Sequence, residues 1–150
     1  MKIKNITARE IFDSRGNPTV ECEMIFENIT YPFRGMVPSG ASTGKFEALE
    51  LRDGDTKRFH GKGVQKAVGN VIRNFGPALI GKDASNQKEI DDLLINIDGT
   101  SNKSTFGANA SLGISMACSV VSAAFYNKPL YNYLNPESNI LPIQYVAFRV

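Results

Sequence analysis

The chain is poor in the residues from which most small catalytic centres are built. Histidine occurs once, at His60, so no Ser-His or Cys-His pair can be assembled with a second histidine in reserve. Cysteine occurs twice, at Cys22 and Cys118. The two lie far apart and form no CxxC pair, which argues against a disulfide framework or a zinc site. Such usage fits a reducing compartment, and a cytoplasmic location is expected. Excess charge is also missing: 17 Lys and Arg against 15 Asp and Glu leave a net +2. That is too little to point to nucleic acid or a membrane surface. Lys2, Lys4 and Arg9 are followed by no apolar run of the kind that marks a secretory leader. Gly40 to Lys45 resembles a phosphate-binding loop only at first sight. Three residues, not four, separate Gly40 from Gly44, and Phe46 rather than Ser or Thr follows Lys45. No nucleotide site follows, and nothing supplies a convincing general acid/base pair. On its residues alone, the chain reads as half of a site.

What is present is the pattern of one globular domain. Hydrophobic residues make up 42% and charged residues 21% of 150, enough for a single core. Residues 2–12 read as a strand with imperfect alternation, since Ile6, Ala8 and Phe12 share a face that Glu10 interrupts. Asp13-Ser14-Arg15-Gly16-Asn17-Pro18 is a dense turn signal. Val20, Cys22, Met24 and Phe26 then alternate with Glu21, Glu23 and Glu27, the pattern of a half-buried antiparallel strand. After a hairpin turn at Glu27 to Thr30, Tyr31, Phe33, Gly35 and Val37 form a third strand.

Residues 45–62 are irregular, and helical periodicity then takes over. Val64, Ala67, Val68, Val71, Ile72 and Phe75 predict one apolar stripe, broken or kinked at Gly76-Pro77. A second helix is predicted from near Asn86, with Glu89 completing a capping box, a stripe of Ile90, Leu93, Leu94 and Ile97, and a stop at Gly99. A third runs from about Gly107 to Tyr126, slim because of Ala108, Gly113, Ala117, Ala123 and Ala124; a short helix follows Pro129. No charge occurs between Lys103 and Lys128. However, Asn109, Ser111, Ser115, Ser119 and Ser122 make this a closely packed buried helix rather than a membrane span. Three strands followed by helices predict an α+β fold whose helical stripes cover one face of the sheet.

The stretch that organises the rest is Ser39-Gly40-Ala41-Ser42-Thr43-Gly44. Six small residues, three of them hydroxylated and two of them glycine, expose backbone groups and side-chain oxygens. That suits an anion, a hard cation, or a lid closing over one; an ordinary surface connection has the same composition. Other polar residues carry plainer readings. His60 sits in a surface turn. Asp53 and Asp55 have the oxygens for a cation but not the rest of a calcium-loop pattern. Asp91-Asp92 read as the solvated face of a helix. Glu47 and Glu50 stand just after the loop, on a solvated turn or as polarising groups beside it.

Taken together, the motifs resemble the N-terminal domain of enolase. The blocks are Asp13-Ser14-Arg15-Gly16-Asn17-Pro18-Thr19-Val20-Glu21, Val37-Pro38-Ser39-Gly40-Ala41-Ser42-Thr43-Gly44 and Glu47-Ala48-Leu49-Glu50-Leu51-Arg52-Asp53-Gly54. Gly61-Lys62-Gly63-Val64, Asp98-Gly99-Thr100 and Phe106-Gly107-Ala108-Asn109-Ala110 follow in order. The resemblance covers roughly residues 1–143 and implies a three-stranded antiparallel sheet followed by helices. It implies a part in phosphopyruvate hydratase, the Mg²⁺-dependent glycolytic lyase that interconverts 2-phosphoglycerate and phosphoenolpyruvate. It implies that residues 39–44 are the mobile lid and that Ser42 is a ligand of the second, catalytic Mg²⁺ through side-chain and backbone oxygens. It further implies that Arg9 and Glu21 pair with a partner subunit's barrel in a homodimer. No catalytic residue is expected within the chain.

The same resemblance defines the departures. In the family an eight-stranded α/β barrel follows, carrying the metal carboxylates, the lysine base, the glutamate acid and the phosphate-binding arginine. Here Gln144-Tyr145-Val146-Ala147-Phe148-Arg149-Val150 does not continue the pattern after Leu141-Pro142-Ile143. The expected organisation is thus an enolase-type domain over residues 1–140 and a divergent stub over 141–150, a truncation or a frame-shifted tail, inactive in isolation. Lys45 and His60 also replace residues that the family makes apolar or aromatic. The alternative is a non-catalytic interaction module or the fragment of a decayed gene.

Overall fold

A computed structural model describes residues 1–40, 44–137 and 140–141. Three strands, β1 (Ile3–Phe12), β2 (Pro18–Phe26) and β3 (Phe33–Met36), form an antiparallel sheet in the order β1-β2-β3. After a single 3₁₀ turn at Phe59–Gly61 come α1 (Gln65–Asn70), a π turn (Val71–Phe75) and α2 (Gly76–Leu79), which run on without a break. Then follow α3 (Gln87–Asp98), α4 (Ala108–Phe125) and α5 (Leu130–Leu134). The fold is α+β, a three-stranded antiparallel sheet followed, among the described residues, by four helical segments.

The first turn is built as its sequence demands. Asp13 Oδ1 accepts the backbone N–H groups of Arg15 and Asn17, both at 2.8 Å, and Gly16 takes the left-handed φ of 75°. The Asn17 bond, with that of Arg15, holds the Asp13 carboxyl below its ordinary range despite the opposing effect of burial. Register then pairs Arg9 with Glu21 and Glu23 with Arg34. On the inner face of β2, Val20, Cys22, Met24 and Phe26 are wholly buried against the helices.

The outer face of β2 differs from the half-buried expectation. Glu21 is 5% exposed, covered by the Arg9 guanidinium from β1 and flanked by Arg34 from β3. Long cationic side chains on the edge strands roof the acidic centre. The third strand is shorter than residues 31–37, because Tyr31 and Pro32 have no pairing partners and Val37 bonds Val20 only through its own N–H at 3.0 Å.

The helical stripe also differs in one residue. Val64, Ala67, Val71, Phe75 and Leu79 are fully buried, spaced 3, 4, 4 and 4, whereas Ile72 is exposed. Repeated spacings of four overrun a 3.6-residue turn. The π turn absorbs the drift, Gly76 N–H reaching back to Val71 O, in the turn just before Pro77, which has no N–H to give. In α3, Asn86 does not cap the backbone as a capping box would. Its Nδ2 donates to Glu89 Oε2 at 2.9 Å instead. Gly99 closes α3 in the left-handed conformation, as expected.

The slim α4 lies across β2 and β3. It is long and apolar enough to cross a membrane by those criteria alone, yet most of it is buried within the fold. Gly35 shows why it must be slim: a Cβ built there would stand 2.2 Å from Gly113 O and 2.8 Å from Ala117 N. No side chain fits between this helix and this strand.

Candidate functional site

Beyond β3 the chain passes Pro38 to Ser39, and there it is seized from several sides. The Ser39 carbonyl accepts from Arg15 Nη2. Its hydroxyl donates to Glu50 Oε2 at 3.2 Å and accepts from Arg52 Nη2 at 3.3 Å. The same Arg52 nitrogen bonds Glu50 Oε1 at 2.6 Å, while Nη1 donates to Pro18 O at 2.5 Å and Lys62 O at 2.6 Å. A hollow of about 380 Å³, bordered by Phe12, Asp13, Arg15, Met36, Pro38 and Ser39, lies beside this corner. Asp13 Oδ2 is buried there without a hydrogen bond, its nearest cation being Arg15 Nη2 at 3.7 Å.

The other root of the loop is held differently. Gly44 N–H donates to Glu47 Oε2 at 2.8 Å, and Glu47 N–H to Gly44 O at 3.2 Å, all on an exposed turn. The chain is secured again only at Leu49. There Leu49 N–H bonds Asn102 O and Ala108 N–H bonds Leu49 O, while Asn109 clasps both backbone groups of Leu51. Ser39, Gly40 and Gly44 are therefore placed. Ala41, Ser42 and Thr43, including the expected Mg²⁺ ligand, lie outside the described residues.

The remaining carboxylates have structural employment. Asp53 receives the N–H groups of Gln65 (2.9 Å) and Lys66 (2.8 Å), capping α1 from a distant loop, and Asp55 Oδ1 receives Lys57 N–H. Glu10, the interruption in the β1 pattern, takes a forked ion pair from Arg58 and the Val64 N–H at 2.8 Å. The Arg58 bond, with these neighbours, outweighs burial and holds the Glu10 carboxyl low. Asp91 accepts from Gln87 and remains half-buried; Asp92 is exposed and pairs with Lys88. His60 is exposed on the 3₁₀ turn, in left-handed backbone at φ 53°. Among the described residues no group of three or more His, Cys, Asp or Glu stands together to hold a metal ion.

Arg9 and Glu21 pair with each other, on the face of the sheet away from α4. Over residues 3–134 the sequence matches the family described as Enolase, N-terminal domain. The chain belongs to the enolase family. The match ends at the last residue of α5, and the enolase catalytic barrel is not among the 150 residues. Enolases use Mg²⁺ and are usually cytoplasmic.

Within this enolase domain the sequence pattern singled out Ser39 to Gly44, Glu47 and Glu50, but Arg15 and Arg52 only as letters of a motif. The reason is physical. Their acceptors are mainly carbonyls and a hydroxyl far along the chain, and such partners leave no periodic trace.

Proposed function

We propose that this chain supplies the loop that closes over an enolase active site, in the interconversion of 2-phosphoglycerate and phosphoenolpyruvate. Residues 39–44 form the lid, and Ser42 gives Mg²⁺ a late side-chain and backbone oxygen. The main metal carboxylates, the base and the acid belong to a barrel, as in the enolase family. What carries the reading is a loop of small hydroxylated residues leaving a braced corner of an enolase N-terminal domain. A hard cation that takes few protein ligands suits such a division of labour, since a closing segment completes its shell only when substrate is in place. Arg9 and Glu21 face the partner subunit's barrel in an enolase homodimer; their pairing within the chain keeps both charges compensated until then. The domain extends over residues 1–140 and 141–150 are a divergent stub. The setting is the cytoplasm, with no nucleic acid partner.

The test is complementation. The purified chain is mixed with a separately purified enolase barrel and Mg²⁺, and phosphoenolpyruvate formation is followed. Turnover is expected only in the mixture and is expected to fall by at least roughly a hundredfold with Ser42→Ala. Equal turnover with and without the chain, or with the variant, would refute the lid role and favour a non-catalytic module.

A further inference from the structure

We infer that Arg52 is a positioning residue that fixes the pivot of the loop at Ser39. This rests on the lid reading above and adds the part that makes a lid repeatable: a root that does not move. Arg52 presents five N–H donors in one plane. Its two terminal nitrogens make four bonds, to acceptors from four separate stretches: Pro18 O at the start of β2, Lys62 O before α1, the Ser39 hydroxyl, and the Glu50 carboxylate. Glu50 closes the ring by accepting the Ser39 hydroxyl proton. Both functions of that hydroxyl are thereby used, and the Ser39 carbonyl is taken by Arg15.

The corner is not a surface ion pair of little consequence. Arg52 is 23% exposed and Glu50 32%, and the arginine joins backbone to backbone as well as charge to charge. Gly40 is then the first residue after the clamp. The far root has only the exposed Gly44–Glu47 turn. The near root is thus clamped at Ser39, while the far root is held by an exposed turn alone. A lysine at position 52 cannot reproduce this, because a single ammonium cannot span Pro18 O and Ser39 Oγ together.

The experiment is ¹⁵N relaxation on the whole chain without metal or substrate, comparing the parent with Arg52→Lys and Ser39→Ala. The second variant removes the clamp from the loop while leaving the Pro18 and Lys62 bonds, so it keeps the test open if Arg52 variants fold poorly. In both variants the order parameters at positions 39 and 40 are expected to drop from about 0.85 to below about 0.6, with those of Cys22 and Met24 in β2 unchanged. Unchanged values at 39 and 40 would overturn the assignment. So would rescue by Arg52→Lys, or a uniform loss of order across the domain, which is what a merely structural arginine would give. Because no ligand is present, this outcome is independent of the Ser42 complementation result: a failed lid reading leaves the clamp standing, and a failed clamp leaves the lid reading standing.

Discussion

The sheet–α4 contact and the corner around Ser39 solve the same problem, holding chain to chain, by opposite means. Across the sheet, Gly35 lets the backbone of α4 come against the backbone of β3, and Cys22, Met24, Ile114, Ala117 and Cys118 are fully buried around that contact. At the corner the hold is polar: Arg52, Arg15 and Glu50 bind Ser39 through directional bonds between partly exposed groups. The first arrangement depends on shape and volume. The second depends on donors and acceptors that one substitution can remove. A scaffold needs the first kind of contact; the second suits a corner from which, on the reading proposed above, a lid departs.

The sharpest way to break the comparison is at Gly35. Gly35→Ala places a methyl 2.2 Å from a helix carbonyl that cannot step aside. A loss of roughly 3 kcal/mol or more is expected in urea denaturation, at the upper end of overpacking effects. Gly113→Ala meets Cys22 Cβ at 3.2 Å, Val37 Cγ2 at 3.4 Å and Cys22 N at 3.8 Å, so about 1 kcal/mol is expected there. Equal losses at the two glycines would contradict the close-packed reading of this interface.

Between these lies Glu10, which joins β1 to the start of α1. Glu10→Ala leaves the Val64 N–H unbonded and Arg58 with only Asp53 at 3.7 Å. The expected loss is about 2 kcal/mol by the same measurement.

Acid should loosen the polar links before the apolar ones. Bonds from Arg58 hold the Glu10 carboxyl low, and those from the Met1 ammonium and Ser85 bring Asp83 down to about 2. A carboxyl that is more acidic in the fold than in the unfolded chain stabilises the fold above its unfolded value and loses that contribution as pH falls through its folded value. For Asp83 the window runs from its ordinary 3.8 down to about 2. The stability difference between the parent and Asp83→Asn should therefore be constant at neutral pH, shrink below about pH 4 and vanish near pH 2. A difference that grows with acid would reverse the sign of this account.

How much of this was visible in the residues themselves divides along the same line. The close-packed half was legible because burial writes a period: two in Val20, Cys22, Met24 and Phe26, near four in Val64, Ala67, Val71 and Phe75. Its error at Ile72 has a geometric cause, since at about 100° per residue Ile72 falls at the edge of the stripe set by Val64, Ala67 and Val71. The buried Glu21 was missed because alternation reports which face a residue takes, not what neighbouring arginines do to cover it. The polar corner was hardly legible at all. Asp53 and Glu10 look like free carboxylates until α1 is seen to begin between them, and the clamp on Ser39 joins residues 15, 39, 50 and 52, whose spacing obeys no repeat. The reading of the loop as a lid came from resemblance to enolase, and family membership stands on the match over residues 3–134.

The measurement that bears most directly on the whole account is the simplest assay. The purified 150-residue chain is given 2-phosphoglycerate and Mg²⁺, and phosphoenolpyruvate is followed over time. On the reading proposed above, the chain brings a lid and one metal ligand while the base, the acid and the metal cage lie in a barrel, so no turnover above the enzyme-free rate is expected. Sustained phosphoenolpyruvate formation by the chain alone would contradict it.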